Sequence, residues 1–145
     1  MPKTFVGKLV LSFSLILIAS FDCSARTAQD KPAPNKTDSQ IPGTWRGNSV
    51  CMVENSPCRD ESNVYHFTEI PAKPGSFSVT ASKIVDGKEI VMGTSESKYD
   101  SQKHVLEGES PGGIFRFTVD GNKMEGTLTT KDNVVYRRIH LKKEH

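Results

Sequence analysis

Cys51 and Cys58 are the residues whose type and spacing most directly suggest chemistry, two thiols seven positions apart in a chain with three cysteines. In an oxidising compartment such a pair closes into a structural disulfide, whose loop-closure contribution is about 2.5 kcal/mol. A zinc site would need further ligands, and neither a second cysteine pair nor a nearby histidine run supplies them. His66, His104 and His140 fall on three different predicted strands. His66 and His140 stand opposite the apolar rows, which argues against a three-histidine metal site. Arg59-Asp60-Glu61 follows the second cysteine; adjacent acids on a loop point apart, so a solvated turn is expected rather than an acid–base pair. The many serines include no Gly-x-Ser-x-Gly elbow, and no helix follows Gly112-Gly113 to complete a phosphate-cradling loop. The expectation is no catalytic residue, no metal, no cofactor and no enzyme.

The disulfide reading depends on export, and residues 1–25 have the form of a secretory signal. Lys3 and Lys8 precede a short apolar run from Leu9 to Ser20, and Cys23-Ser24-Ala25 offers small residues for cleavage after Ala25. The run falls short of the roughly 20 apolar residues a membrane-spanning helix needs, so no transmembrane span is expected after cleavage. Cys23 could take a lipid anchor, but Phe21 and Asp22 before it depart from a lipoprotein signal, and removal with the leader is expected. Residues 26–42, with Pro32, Pro34 and Pro42 among polar residues, read as a flexible linker. Asn35-Lys36-Thr37 is a glycosylation acceptor pattern that matters only in a eukaryotic host. The formal charge of +2 falls to +1 once Lys3, Lys8 and Asp22 are lost, too weak a field to recruit nucleic acid or anionic lipid. A secreted or periplasmic protein is expected.

Residues 43–145 form one domain of about 100 residues, enough for a modest core. Turn signals recur every 8 to 14 residues and separate eight predicted strands: 44–53, 63–70, 76–85, 88–99, 103–109, 114–119, 123–129 and 134–142. Asp86-Gly87 is the strongest hairpin signal, and Asp120-Gly121-Asn122 is another. Connections this short make sequential strands antiparallel neighbours. An all-β, up-and-down barrel of eight strands is preferred because closure removes both exposed edges; a two-sheet β-sandwich is the alternative.

Alternation assigns the inward rows: Trp45, Gly47, Ser49, Cys51 and Val53; Tyr65 and Phe67; Phe77, Val79 and Ala81; Phe115, Phe117 and Val119; Met124, Gly126 and Leu128; Val135, Arg137, Ile139 and Leu141. Gly47 is read as making room for the Trp45 indole. On closure the last strand neighbours the first, so Arg137 or Arg138 is expected to stack on Trp45; two solvated arginines are the alternative. Tyr65, Phe67, Phe77, Phe115, Phe117 and Met124 are candidate ligand-lining residues. Small inward residues (Gly47, Ser49, Gly93, Ser95, Ser97, Gly126) favour a cavity and the bulky ones a packed core, with a shallow pocket at the mouth compatible with both.

An eight-stranded antiparallel meander opened by Gly43-Thr44-Trp45-Arg46-Gly47 resembles the calycin group, which includes the lipocalins and avidins. The resemblance implies a closed barrel, an arginine of the last strand over the strand-one tryptophan, and carriage of a small apolar ligand. The same outline resembles small secreted bacterial inhibitors of metalloproteases, with a tryptophan on strand one and a nearby disulfide. Fold alone licenses no task. The expected function is an exported, non-enzymatic binding module, a lipocalin-like carrier or sensor of a small apolar ligand. The alternative is a secreted or periplasmic protein-binding module such as a protease inhibitor, working through residues 26–42 or the loops 54–62.

Overall fold

The computed structural model describes residues 40–145. Eight strands run in order: β1 (Gly43–Cys51), β2 (Glu61–Glu69), β3 (Ser76–Val85), β4 (Lys88–Asp100), β5 (Val105–Ser110), β6 (Gly113–Asp120), β7 (Lys123–Thr129) and β8 (Val135–Lys143). Each pairs antiparallel with the next and β1 pairs with β8, closing an up-and-down barrel. Closure excludes the sandwich.

The turns form where their residues tolerate unusual backbone. Asp86 and Gly87 both hold positive φ (51° and 75°), the requirement of a two-residue hairpin whose twist matches its strands. His104 also has positive φ (55°) and lies in the β4–β5 turn, so β5 begins at Val105, two residues later than expected from the sequence. Gly47 answers a different need from the one expected. A Cβ there would lie 1.8 Å from the backbone oxygen of His140, so the missing side chain admits the β8 backbone rather than the indole.

Alternation places the core as expected along most strands, and the two ends of the barrel then differ. At one end Ile41, Trp45, Phe77, Leu106 and Met124 are 1% exposed or less. Ile41 precedes β1 and lies across this end: the Trp45 indole Nε1 donates to its carbonyl at 2.8 Å, and Lys143 Nζ donates to the Gln40 carbonyl at 2.6 Å. The segment from Gln40 to Pro42, assigned to the linker from its composition, is therefore part of the barrel, held by burial of one isoleucine that shows no periodicity. Aromatic rings fill the middle, with Tyr65 against Phe67, Phe115 and Phe117 at centroid distances of 6.3, 6.3 and 5.7 Å.

The other end carries the β1–β2 loop and the β3–β4, β5–β6 and β7–β8 turns. Here the pattern is interrupted twice. A register shift between Leu128 and Thr129 leaves Tyr136 as an extra residue on β8. A bulge reverses the facing of what precedes it, so Val135, expected inward, is 39% exposed. The second interruption lies on the opposite side of the barrel. β4 pairs with β3 along its length, with Met92 bulged out, but with β5 only from Ser97 to Asp100. The seam between the first half of β4 and the β5–β6 turn is therefore unzipped, and a cavity opens there.

Candidate ligand-binding site

The cavity has a volume of about 280 Å³ and lies in the mouth half of the barrel. Ala81, Met92, Phe115 and Leu128 form its apolar wall; Ser49, Glu61, Asn63, Tyr65 and Arg137 form its polar end. These five come from inward positions of β1, β2 or β8 near the mouth, three strands that are contiguous once the barrel closes, while Thr94, Ser95 and Ser110 add hydroxyl-bearing residues from β4 and β5. Of the small inward residues, Ser49, Gly93 and Ser95 line the cavity. Both sequence alternatives thus hold, in different halves: a packed core at the plugged end and a pocket at the mouth.

Among the six candidate ligand-lining residues, Tyr65 and Phe115 reach the cavity. Phe67, Phe77, Phe117 and Met124 are 0–3% exposed in the packed core, which corrects their assignment. Alternation reports which face a residue occupies but not how far along the barrel axis the packing extends.

Arg137 and Arg138 do not stack on Trp45. The β1–β8 register sets Arg137 opposite Cys51 and Arg138 opposite Val50, whereas Trp45 faces Lys143, whose Nζ lies 5.7 Å from the ring centroid. Lys143 thus takes the cation–π position expected of an arginine. Arg137 instead anchors the mouth: its Nη1 donates to Ser49 Oγ and to the Arg59 carbonyl, both at 3.1 Å. Its Nη2 lies 3.5 Å from Glu61 Oε2, and its guanidinium sits 5.7 Å over the Tyr136 ring. Arg138 is exposed.

The Cys51–Cys58 disulfide is formed, with Cα atoms 5.8 Å apart. It turns the β1–β2 loop back on itself, and Asp60 Oδ1 accepts from the Cys51 backbone N–H at 2.8 Å. Arg59 Nη1 donates to the Ser56 and Cys58 carbonyls at 3.0 and 2.7 Å. Arg59-Asp60-Glu61 is therefore more than a solvated turn. Asp60 and Glu61 do point apart, but Asp60 ties the loop to β1 and Glu61 faces the cavity opposite Arg137.

Two buried side-chain polar atoms, Asn63 Oδ1 and Ser82 Oγ, lack a hydrogen-bond partner among the described residues. Asn63, 1% exposed, lines the cavity, and Ser82 does not. Burial pushes the Tyr65 phenol above the ordinary tyrosine range; Arg137 opposes that shift and Glu61 adds to it. Tyr65 is thus a neutral hydroxyl at any physiological pH. Sequence reasoning missed Asn63 because an asparagine at the start of a strand reads as a turn residue. Its place in the same inward row as Tyr65 and Phe67 was the available signal.

The histidines lie elsewhere. His66 bonds Thr44 Oγ1 at 3.1 Å and Glu89 at 2.9 Å, His104 bonds the Tyr99 hydroxyl at 3.2 Å, and His140 is exposed beside Glu125. No cluster of three or more metal-ligating side chains occurs among the described residues, and no helix there is long and apolar enough to cross a membrane. The leader, Cys23 and the acceptor pattern at Asn35 lie outside the described residues. The chain matches no protein-family model, no curated protein and no solved structure at a significant level.

Proposed function

We propose that this chain is an exported, non-enzymatic binding module of calycin-like architecture that holds a small ligand with an apolar body in its mouth cavity, as a carrier or sensor. One observation supports the reading above all: a cavity of about 280 Å³, apolar along its wall and polar at one end, is kept in a barrel whose other half is filled by side chains. Pockets that bind small molecules have this make-up, a largely apolar lining with a few placed polar groups. The disulfide and the signal-like leader support export. The test is native mass spectrometry of the protein purified from the compartment to which its host exports it. A reproducible mass excess released on denaturation is the expected result. A bare mass, together with no binding of naphthalene by the purified protein, would overturn the reading.

A second reading, a secreted or periplasmic protein-binding module such as a protease inhibitor, draws on the mouth rim. All nine exposed large hydrophobics among the described residues, including Met52, Val91, Ile114 and Val134, lie in the mouth half. Exposed apolar side chains gathered at one end of a protein are candidates for an interaction site. Under this reading Met52→Asp with Val134→Asp abolishes capture of a partner while leaving naphthalene binding intact. Loss of naphthalene binding alone would favour the carrier.

A further inference from the structure

We propose that the mouth cavity selects an uncharged ligand whose polar end, a hydroxyl or an amide N–H, donates a hydrogen bond to Asn63, and that it rejects anions. The inference rests on the reading of this cavity as a ligand site.

Selection falls to the cavity's charged groups and its one acceptor without a partner among the described residues; the hydroxyls of Tyr65, Thr94, Ser95 and Ser110 in the lining can donate or accept and select for no charge. Asn63 Nδ2 donates to the Ser82 carbonyl at 3.4 Å. A carbonyl can only accept, so the amide's NH₂ must face it, which orients the side chain and leaves Oδ1 as the unmatched acceptor. Arg137 is the one cation lining the cavity, and Ser49, the Arg59 carbonyl and Glu61 already engage it. Lys83, the neighbour of Asn63 on β3, does not line the cavity. An incoming carboxylate would therefore have to displace Glu61 from Arg137 or lie beside its charge, in surroundings where the two side chains are only 14% and 22% exposed and repulsion is poorly screened.

An ammonium group meets the opposite obstacle. Glu61 and Arg137 cancel, so no net negative charge repays the desolvation of a cation. A neutral donor incurs neither cost. It satisfies a buried acceptor that otherwise goes unpaired, and leaving such a group unpaired costs more than an ordinary hydrogen bond contributes on balance. Ala81, Phe115 and Leu128 then cover the apolar body.

Four probes of one shape test this: naphthalene, 2-naphthol, 2-naphthoate and 2-naphthylmethylammonium, titrated at neutral pH against the intact oxidised protein. The expected order places 2-naphthol about tenfold tighter than naphthalene, with the ammonium probe no tighter than naphthol and the carboxylate weakest. Asn63→Leu should erase the advantage of naphthol over naphthalene. Asn63→Asp, which places a negative charge at the same point, should move the preference to the ammonium probe. Naphthoate or ammonium binding tightest to the unaltered protein overturns the proposal, as does a naphthol advantage that survives Asn63→Leu. Failure of all four probes, naphthalene included, overturns the cavity reading and the inference with it, whereas naphthalene binding without donor preference overturns the inference alone.

Discussion

The two ends of this barrel are made by the same eight strands but obey different rules. At the plugged end Ile41, Trp45, Phe77, Leu106 and Met124 are buried to 1% exposure or less, with the small buried Ser76 and Ser97 beside Phe77, and the one indole N–H donates to a backbone carbonyl. At the mouth Ser49 and Asn63 are as thoroughly buried as those core residues, yet their neighbours are Arg137, Glu61 and a cavity. The plugged end optimises packing. The mouth keeps a volume that packing would have closed, holds it with a disulfide and an ion pair, and exposes apolar side chains around it. Buried polar groups are costly unless satisfied, and the buried side-chain atoms without a partner among the described residues, on Asn63 and Ser82, both lie in the mouth half.

The most direct way to break this comparison is to truncate an aromatic ring at each end. Trp45→Ala should cost about 4 kcal/mol in urea denaturation, because its neighbours are close-packed and cannot collapse into the void. Phe115→Ala, which removes a half-buried ring that already borders empty space, should cost about 2 kcal/mol. Equal losses would mean that the halves are not differently packed. Next in size is the disulfide: Cys51→Ser with Cys58→Ser should lower stability by about 2.5 kcal/mol. It should also weaken naphthalene binding, since Arg59 between the loop and β2 supplies the carbonyl that holds Arg137.

Tyr65 sharpens the contrast through pH. Its folded-state pKa is raised, so below about pH 10 both folded and unfolded states keep the proton and the group is neutral to stability. Above that pH only the unfolded chain ionises, and stability should fall by as much as about 1.4 kcal/mol per pH unit. Tyr65→Phe should flatten that alkaline limb in denaturation midpoints taken from pH 9 to 12. The smallest effect expected is at the plugged end. The Lys103 side chain, with the backbone N–H groups of Lys103 and Gln102, holds the Asp100 carboxylate below its ordinary pKa. A depressed pKa contributes stability above the unfolded value that is lost as pH falls through the folded one. Asp100→Asn should slightly flatten the acid limb, leaving the mouth probes unaffected.

Much of the barrel was legible in the residues because its rules are local. Two-residue side-chain alternation and turn chemistry at Asp86-Gly87 locate strands without knowledge of partners, and cysteine spacing with a leader-like N-terminus anticipates the disulfide. What failed to be legible was everything set by closure. Which residue of β8 faces Trp45 depends on the stagger of the closed sheet, and that stagger puts Lys143 there and sends Arg137 to the mouth. Tyr136 bulges because the β7–β8 register shifts, and Val135 turns outward with it. The cavity exists because β4 outruns its pairing with β5. The chain by itself therefore determined the strands, their order, most of their inward rows and the staple. Only the tertiary structure decided where along the barrel the core stops and Asn63 is left facing a cavity, because register and stagger are properties of strand pairs and of a closed ring, and no single stretch of sequence encodes them.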